Sequence, residues 1–221
     1  MKLAIVGYGK MGRLIDQLAA EYGFAVHERI DAAGDVARSA GADVAIEFTA
    51  PGAAVENVEA LAALGIPVVV GTTGWLGDME RVRTAVTAHD TALVWSPNFS
   101  IGVNVFVRAV RETARLLAAD PRYGAWAREI HHDTKADAPS GTLLELVREM
   151  QAAGYSRHID IAATRAGTHP GTHEIGFDSA ADTITLTHAA RSREGFARGA
   201  LVAAQWVIGK RGVFEFSEVL I

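Results

Sequence analysis

The sequence predicts an α/β protein in which a doubly wound parallel sheet is followed by a second α+β domain with a mixed or antiparallel sheet. Short apolar runs alternate with segments of helical periodicity through the first half of the chain, which is typical of parallel sheets with crossover helices. A glycine-rich turn follows the first apolar run. Three later segments alternate apolar and polar residues, as antiparallel strands with one covered face do.

Five strands and three helices are predicted in the first half. Residues 3–6 are apolar and end in glycine, as a buried parallel strand does, and residues 11–22 carry apolar side chains at helical spacing. The other strands are expected at residues 24–28, 44–48, 68–70 and 92–95, and the other helices at residues 53–64 and 76–89. Because helices separate most of these strands, right-handed crossovers and a parallel sheet follow.

The pattern changes near Asn98, where we expect a domain boundary. Helices are predicted at residues 103–117, 142–153 and 196–208, and strands at residues 126–131, 159–164, 172–177 and 183–187. The expected domains are therefore residues 1–99 and residues 100–195, with the segment 196–221 packing back on the first domain.

Composition excludes several classes of function. The 221 residues carry a net charge of −5, and the absence of a Lys/Arg-rich block argues against nucleic acid and anionic membranes as partners. Without cysteine there are no disulfides, thiolate nucleophiles or cysteine-based zinc sites. No apolar run approaches the length of a membrane span or of a signal peptide. We expect a soluble, cytoplasmic protein.

A G-x-G-x-x-G fingerprint joins the first predicted strand to the first predicted helix. Gly7 would make the tight turn, Gly9 would let a pyrophosphate approach the backbone, and Gly12 would let the helix pack closely on the strand. Glu28, at the end of the next strand, would accept hydrogen bonds from an adenosine ribose, and Arg29 beside it could bind a 2′-phosphate. This context favours a Rossmann-type dinucleotide site over a turn that only connects strand and helix. The candidate residues are Gly7, Tyr8, Gly9, Lys10, Met11, Gly12, Glu28 and Arg29.

Two loops that follow predicted strands are further candidates for this cofactor site. In a doubly wound sheet, loops at the carboxyl ends of the strands line the ligand crevice, and small or hydroxyl side chains there can approach a nicotinamide ring and its ribose. For either loop taken alone, an ordinary turn is an equal alternative. The residues are Gly71, Thr72 and Thr73 in one loop and Ser96, Pro97, Asn98 and Phe99 in the other.

The most informative stretch is residues 129–142. His131, His132 and Lys135 fall within five residues where a strand leads into a loop. Lys135 would supply a mobile ammonium group and His131 a group that titrates near neutral pH, so together they can bind an anion and deliver a proton. Adjacent histidines on a strand point to opposite faces, so we expect one of them to meet the reacting atom.

Ser140, Gly141 and Thr142 open the following helix. A Ser or Thr would cap it, and Gly141 would expose backbone N–H groups at its positive end, which is a ready carboxylate site. For Ser140 and Thr142 alone, a simple helix cap is the better interpretation, whereas the full cluster favours a binding site. A metal site is the alternative for the histidines. His169 and His173 are four residues apart, but a Pro-Gly pair between them excludes a regular helix, and no metal is expected.

The motif His131-His132-x-x-Lys135-x-Asp137-x-Pro139-Ser140-Gly141-Thr142 resembles the signature of the 4-hydroxy-tetrahydrodipicolinate reductase family, also called dihydrodipicolinate reductases. The resemblance covers nearly the whole chain. It includes Gly12-Arg13, Phe48-Thr49 with Pro51, residues 71–74, residues 98–104, Arg165 through His173, Thr187-His188, Ser192-Arg193 and residues 196–200.

The resemblance implies NADH or NADPH as hydride donor and tetrahydrodipicolinate as product, in lysine and diaminopimelate biosynthesis. It implies that His131 donates or accepts a proton, that Lys135 donates one, and that the second domain binds substrate and builds a homotetramer through its sheet. The implied substrate-binding residues are His132, Ser140, Gly141 and Thr142. The implied cofactor-binding residues are those of the fingerprint and the two loops, with Phe48 and Thr49.

The dinucleotide preference stays open. The fingerprint is one residue shorter than is common in the family, and the segment 30–43 is also short. Both lie near the adenosine end, where Glu28 favours NADH and Arg29 favours NADPH, so either or both are expected.

Two other functions stay open as alternatives. Another dehydrogenase on the same first domain, or a non-catalytic dinucleotide sensor, would share the fingerprint without needing Lys135.

The implied substrate also requires positive charge at its site. Because this substrate is a dianion and the chain is negative, positive charge must be concentrated locally, with Lys135, Arg165 and Arg193 as candidates.

Overall fold

The computed structural model describes residues 1–31 and 34–220, so two residues of the short segment 30–43 lie outside the described part. The strands are β1 (Lys2–Val6), β2 (Ala25–Ile30), β3 (Val44–Glu47), β4 (Val68–Val70), β5 (Ala92–Trp95), β6 (Gly124–His131), β7 (Ile159–Arg165), β8 (Thr172–Asp178), β9 (Thr183–Ala189) and β10 (Gly212–Glu215). The α-helices are α1 (Lys10–Leu18), α2 (Pro51–Ala63), α3 (Met79–Ala88), α4 (Ile101–Leu117), α5 (Gly141–Ala152), α6 (Glu194–Val207) and α7 (Phe216–Val219).

The first of two compact units comprises Met1–Ile101 and Arg193–Ile221. Its described strands form a parallel sheet in the order β10-β5-β4-β3-β1-β2. Because successive side chains of a strand point to opposite faces, Leu3 and Ile5 enter one core with α1 and α6, whereas Ala4 and Val6 enter a second core with α2 and α3. The predicted doubly wound parallel sheet is confirmed.

The second unit, Gly102–Ser192, contains a four-stranded sheet in the order β7-β6-β8-β9. β6 pairs with β7 in parallel and with β8 antiparallel, and β8 pairs with β9 antiparallel, so the sheet is mixed. One face packs on α4 and α5 through a core that includes Val110, Leu146, Ile175 and Phe177. The predicted α+β character of this half is also confirmed.

The structure differs from the sequence expectation mainly near element ends. The helix expected over residues 11–22 ends at Leu18, and a 3₁₀ turn, Ala19–Tyr22, follows it before Gly23 turns the chain at φ 73°. β10 and α7 were not predicted, because each spans only four residues and neither shows a repeating apolar pattern. No helix in the described part of the chain is both long and apolar enough to cross a membrane.

Candidate functional site

The glycine-rich turn has a backbone that only glycine fits at two positions. Gly7 has φ +97°, and a Cβ built on it would lie 2.0 Å from the carbonyl oxygen of Phe48. A Cβ on Gly12 would lie 2.3 Å from the carbonyl oxygen of Gly7. A Cβ on Gly9, in contrast, would meet nothing within 4 Å among the described residues. The outer glycines are therefore required for packing, whereas Gly9 borders open space.

The N-terminus of α1 adjoins the same open space. Gly9 is its N-cap residue, and no side chain of the described residues caps it. The first N–H groups of a helix lack intrahelical partners and carry partial positive charge. In residue type, backbone conformation and free space, this turn fits the pyrophosphate of a dinucleotide.

Glu28 and Arg29, the residues expected at the adenosine end, are both ion-paired. Glu28 Oε1 accepts a hydrogen bond from Arg38 Nη2 at 2.7 Å. The guanidinium of Arg29 donates to both carboxylate oxygens of Asp16 at 2.8 Å, and the Tyr8 hydroxyl donates to the same carboxylate. The hydrogen bond from Arg29 holds the pKa of Asp16 below its ordinary value. Arg38, which the sequence pattern does not single out, therefore brings a guanidinium to Glu28, while that of Arg29 binds Asp16.

The loops after β3 and β4 contact each other. The backbone N–H of Thr49 donates to Thr72 Oγ1 at 2.7 Å, and a Cβ on Gly71 would lie 2.1 Å from the ring of Phe48. Thr73, the next residue, is exposed. These predicted cofactor residues therefore share one edge of the sheet, at the carboxyl ends of its strands.

The loop after β5 closes on itself. Ser96 Oγ donates to the carbonyl oxygen of Asn98 at 2.8 Å and accepts from its N–H at 3.1 Å, while Pro97 is exposed. Phe99 is 1% exposed, and its ring lies 4.8 Å from that of Phe216 in the core. The side chain of Phe99 thus belongs to the core of the first unit.

Glu47, at the end of β3, is a buried acid that sequence reasoning missed. Its Oε1 accepts hydrogen bonds from Thr49 Oγ1 and from Asn57 Nδ2, the latter at 3.3 Å, while Oε2 is buried without a hydrogen-bond partner among the described residues. Burial raises the pKa of Glu47 above its ordinary value. Its position after a run of apolar strand residues is the signal that could have identified it.

In the second unit, the strand register places several predicted site residues on the sheet face that packs on α4 and α5. Glu129 of β6 lies opposite His173 of β8, which lies opposite His188 of β9. His131, two residues after Glu129 and therefore on the same face, lies opposite Arg165 of β7. Three histidines, a carboxylate and a guanidinium thus meet at one end of this face.

Glu129 is the centre of this group, and its side chain is fully buried. Oε1 accepts from the backbone N–H of Ser140 at 2.9 Å and from Arg165 Nη2 at 2.8 Å, and Oε2 accepts from Ser140 Oγ. The same oxygen lies 3.6 Å from His131 Nδ1 and 3.4 Å from His173 Nε2. Burial alone would raise the pKa of Glu129, but the hydrogen bonds from Ser140 and Arg165 outweigh it and lower that pKa.

The neighbouring imidazoles favour their neutral forms. Burial lowers the pKa of His131, with Glu129 opposing the shift, and lowers the pKa of His173 to about 4. Burial also lowers the pKa of His188, whose ring lies 5.9 Å from that of Phe106. The rings of His131 and His173 meet edge to face at 5.0 Å.

Lys135 and His132 lie in the loop that follows β6. Lys135 Nζ donates to Asp137 Oδ1 at 2.6 Å, and 24% of the lysine side chain is exposed. His132 is half-buried, with Nδ1 2.8 Å from Thr134 Oγ1. The loop also contains a cis peptide bond between Ala138 and Pro139. A cation and an imidazole are thus available beside the buried His131.

The N-terminus of α5 follows this loop. Ser140 is the N-cap residue, and its hydroxyl accepts from the backbone N–H of Leu143 at 3.2 Å while donating to Glu129. Gly141 is exposed, and a Cβ there would meet nothing within 4 Å among the described residues. Because the Ser140 side chain is committed within the protein, Gly141 and the half-buried Thr142 are the residues that can meet an anion at this helix end.

The two other candidate cations differ. The guanidinium of Arg165 binds Glu129, the carbonyl oxygen of Asp137 and, at 2.9 Å, the carbonyl oxygen of Thr164. It therefore serves the internal network rather than an incoming anion. Arg193 is exposed and belongs to the first unit.

A metal is the alternative ligand for the buried group. One ligand atom each of Glu129, His131 and His173 lie within 4.8 Å of one another, and two histidines with a glutamate are a known zinc set. However, both oxygens of Glu129 already accept hydrogen bonds from Ser140 or Arg165. These hydrogen bonds and the ion pair with Arg165 account for the burial of Glu129 without an ion.

The comparisons with known proteins cover the whole chain. Residues 1–99 match the family described as dihydrodipicolinate reductase, N-terminus, and residues 102–220 match its C-terminus. The chain is 36% identical to the 4-hydroxy-tetrahydrodipicolinate reductase of Christiangramia forsetii, with 100% of this chain and 98% of the relative covered. The identity to the enzyme of the same name from Archaeoglobus fulgidus is 34%, with both chains fully covered.

Solved structures show the same fold. Dipicolinate-bound dihydrodipicolinate reductase from Paenisporosarcina sp. TG-14 superposes with a TM-score of 0.84 at 18% identity, over 97% of each chain. The scyllo-inositol dehydrogenase of Lactobacillus casei with bound NAD(H) has a TM-score of 0.57 at 13% identity, over 100% of this chain and 92% of its own. The family matches and the full-length relatives together show that this chain belongs to the 4-hydroxy-tetrahydrodipicolinate reductase family, whose members are NAD(P)H-dependent oxidoreductases.

Proposed function

We propose that this chain catalyses the NAD(P)H-dependent reduction of 4-hydroxy-tetrahydrodipicolinate to tetrahydrodipicolinate, a step of lysine and diaminopimelate biosynthesis. The observation that carries the proposal is the cluster of His131, His132 and Lys135 between a buried Glu129 and the N-terminus of α5. This cluster supplies a proton donor and anion-binding groups in one place, which a dinucleotide sensor or another dehydrogenase does not require.

The first domain, proposed as residues 1–99 with the segment 196–221, holds the dinucleotide. Gly9 and the uncapped N-terminus of α1 receive its pyrophosphate, and Glu28 its adenosine ribose. When bound, the dinucleotide supplies the hydride. Arg29 is paired with Asp16, and Arg38 is paired with Glu28. The 2′-phosphate of NADPH would have to compete with these two carboxylates for the guanidinium groups. We therefore expect the chain to use both NADH and NADPH.

The second domain, proposed as residues 100–195, holds the dicarboxylate. His132, Gly141 and Thr142 bind its carboxylates, with Ser140 shaping the helix entry. Lys135 Nζ pairs with the carboxylate of Asp137, so a substrate carboxylate would take the place of Asp137 on this ammonium group. Lys135 would then supply local positive charge for the dianion, although the whole chain carries a net charge of −5.

Proton delivery completes the proposed mechanism. Loss of water from the 4-hydroxy substrate gives a conjugated imine. Hydride addition to this imine leaves negative charge on the atoms beyond the attacked carbon, and a proton donor placed there accelerates such a step by about 10²–10⁴-fold. Lys135 donates this proton, and His131 donates or accepts one beside it. Because burial holds the pKa of His131 below its ordinary value, this imidazole is neutral at neutral pH and can accept a proton.

We also propose a cytoplasmic homotetramer assembled through the face of the second sheet that α4 and α5 leave uncovered. Trp126 of β6 lies on that face, flat against Gly176, where a Cβ would come within 2.1 Å of its ring. Arg128 and Glu174 are ion-paired beside it at 2.9 Å, and Thr185 lies opposite Gly176 on β9. A sheet face that carries an ordered tryptophan beside an arginine suits self-association, because both residue types are enriched in interfaces. The proposed reaction draws on reduced dinucleotide, which fits the cytoplasm.

The test is oxidation of NADH and NADPH, followed by absorbance, with substrate made in situ from pyruvate and aspartate semialdehyde by the upstream synthase. We expect oxidation that requires the substrate, and a loss of kcat of about 10²–10⁴-fold in Lys135→Ala with an unchanged circular dichroism spectrum. Lys210→Ala, which removes an exposed lysine of the first unit, is the control. Binding of both dinucleotides without substrate-dependent oxidation would reject the proposal in favour of a related dehydrogenase or a sensor.

A further inference from the structure

The Nδ1 atom of His131 is an unsatisfied polar atom in a buried position. It has no hydrogen-bond partner among the described residues, and Glu129 Oε2 lies 3.6 Å away. The opposite edge of the ring lies beside Gly171, where a Cβ would come within 2.9 Å of Nε2. Because Gly171 has no side chain, it leaves room for Nε2 where any other residue would clash with it, while Nδ1 faces the carboxylate.

Glu129 itself is held rigidly. The backbone N–H and the hydroxyl of Ser140 fix it from the N-terminus of α5, and Arg165 fixes it from β7. A carboxylate with three such donors is charged and immobile, and a distance of 3.6 Å to an imidazole nitrogen is one that closes when the imidazole gains charge. Nothing in the proposed hydride transfer uses Glu129 directly.

We infer that Glu129 is a positioning residue that keeps the neutral His131 protonated on Nδ1 and compensates the imidazolium charge when Nε2 holds a proton. The inference rests on the proposed role of His131 in proton transfer. The proton that moves is the one on Nε2, which goes to or comes from the substrate, while the Nδ1 proton stays in place. No proton passes to Glu129, just as in other histidine–carboxylate pairs that act in catalysis.

The charges around His131 predict the direction in which its pKa changes when Glu129 is replaced. Glu129 faces it from β6, Arg165 from β7, His173 from β8, and Lys135 with Asp137 from the following loop. Burial, Lys135 and Arg165 lower the pKa of His131, whereas Glu129 and Asp137 raise it. Removal of the nearest negative charge must therefore lower this pKa further and move the His131 limb of the pH profile to lower pH.

The first experiment needs no variant of Glu129. Ring-nitrogen NMR of uniformly labelled wild-type protein reports which nitrogen of each neutral imidazole carries the proton, and the spectrum of His131→Gln assigns the signals of His131. We expect the proton on Nδ1. A proton on Nε2 in the neutral ring would overturn the inference, whether or not the chain proves to reduce the proposed substrate.

The second experiment removes the carboxylate charge. In Glu129→Gln we expect the NMR pKa of His131 to fall and kcat to drop by about 10²-fold or more, with a smaller change in KM. Glu129→Asp keeps the charge and should restore the pKa towards the wild-type value. Glu149→Gln, which removes a carboxylate paired with Arg111 at 3.4 Å on the helices of the same unit, is the matched control.

These measurements separate the two proposals. An unchanged pKa of His131 in folded Glu129→Gln would overturn the inference even if the reductase assay succeeds. A failed reductase assay would reject the proposed function, while the tautomer and pKa of His131 would still decide the role of Glu129. If Glu129→Gln does not fold, the wild-type tautomer and Glu129→Asp provide the decision.

Discussion

His173 illustrates how a single buried residue links this site to pH. Its side chain is 8% exposed, and burial lowers its pKa from 6.5 to about 4. A neutral buried histidine favours the folded chain, and this contribution is lost as the pH falls from 6.5 towards about 4, because the unfolded chain takes up the proton first. The residue therefore makes the folded unit less stable in mild acid.

Replacement of His173 by Gln should flatten that dependence. One proton bound only by the unfolded chain changes the free energy of unfolding by about 1.4 kcal/mol per pH unit, which is the upper limit for this side chain. Urea unfolding of both proteins across that pH range measures the two slopes. His158→Gln is the control, because the side chain of His158 is 83% exposed. Equal slopes for wild type and His173→Gln would show that His173 is not a buried neutral group.

At the scale of secondary-structure elements, two glycines of the turn from β1 to α1 are expected to differ in role. Gly7 is needed for packing, whereas Gly9 is proposed to contact the dinucleotide. Gly7→Ala places a Cβ against the backbone of Phe48 in a left-handed conformation, so we expect it to lower the melting temperature clearly. Gly9 has φ −86°, and a Cβ on it would meet no heavy atom within 4 Å in the described structure, so we expect Gly9→Ala to keep wild-type stability. We expect this variant to bind NADH more weakly, because the methyl group would occupy the proposed path of the pyrophosphate.

Thermal unfolding and NADH fluorescence titration of the two variants test this separation. Gly77→Ala, also at a position with no heavy atom within 4 Å of the new Cβ in the described structure, is the control for a neutral substitution. Unchanged NADH affinity in Gly9→Ala would mean that the dinucleotide does not approach this turn.

The elements also show what the sequence can and cannot predict. The apolar patterns predicted all four strands of the second sheet and five of the six strands of the first, with β10 as the exception. In the sequence, Glu129 is only an acidic residue that precedes His131 and His132. Its central place depends on the register of β6 against β7 and β8, which brings Arg165 and His173 to it from more than 30 residues away along the chain. No local pattern specifies such a register.

The same limit applies at the adenosine end and in the β5 loop. The sequence allows Arg29 to bind a 2′-phosphate, and in the fold its guanidinium is paired with Asp16 of α1. Phe99 is a predicted cofactor residue, and its side chain packs in the core beside Phe216. The sequence motifs predicted which turns and loops these residues belong to. Their side-chain contacts could be identified only in the folded chain.

At the scale of the whole molecule, the proposed tetramer makes a separate prediction. Thr185 lies on the uncovered face of the second sheet, so Thr185→Arg would bury an unpaired charge if that face is an interface. We expect the variant to sediment as a smaller species than the wild-type tetramer in analytical ultracentrifugation. Thr87→Arg, at an exposed position of α3, should not alter assembly. A wild-type monomer would contradict the proposed tetramer.

The proposed reaction transfers a hydride from a nicotinamide dinucleotide to the substrate made from 4-hydroxy-tetrahydrodipicolinate. The most direct measurement supplies dinucleotide deuterated at its transferable position and determines the mass of the product. We expect tetrahydrodipicolinate that carries one deuterium, formed in step with oxidation of the dinucleotide. Product without deuterium, or oxidation without this product, would contradict it.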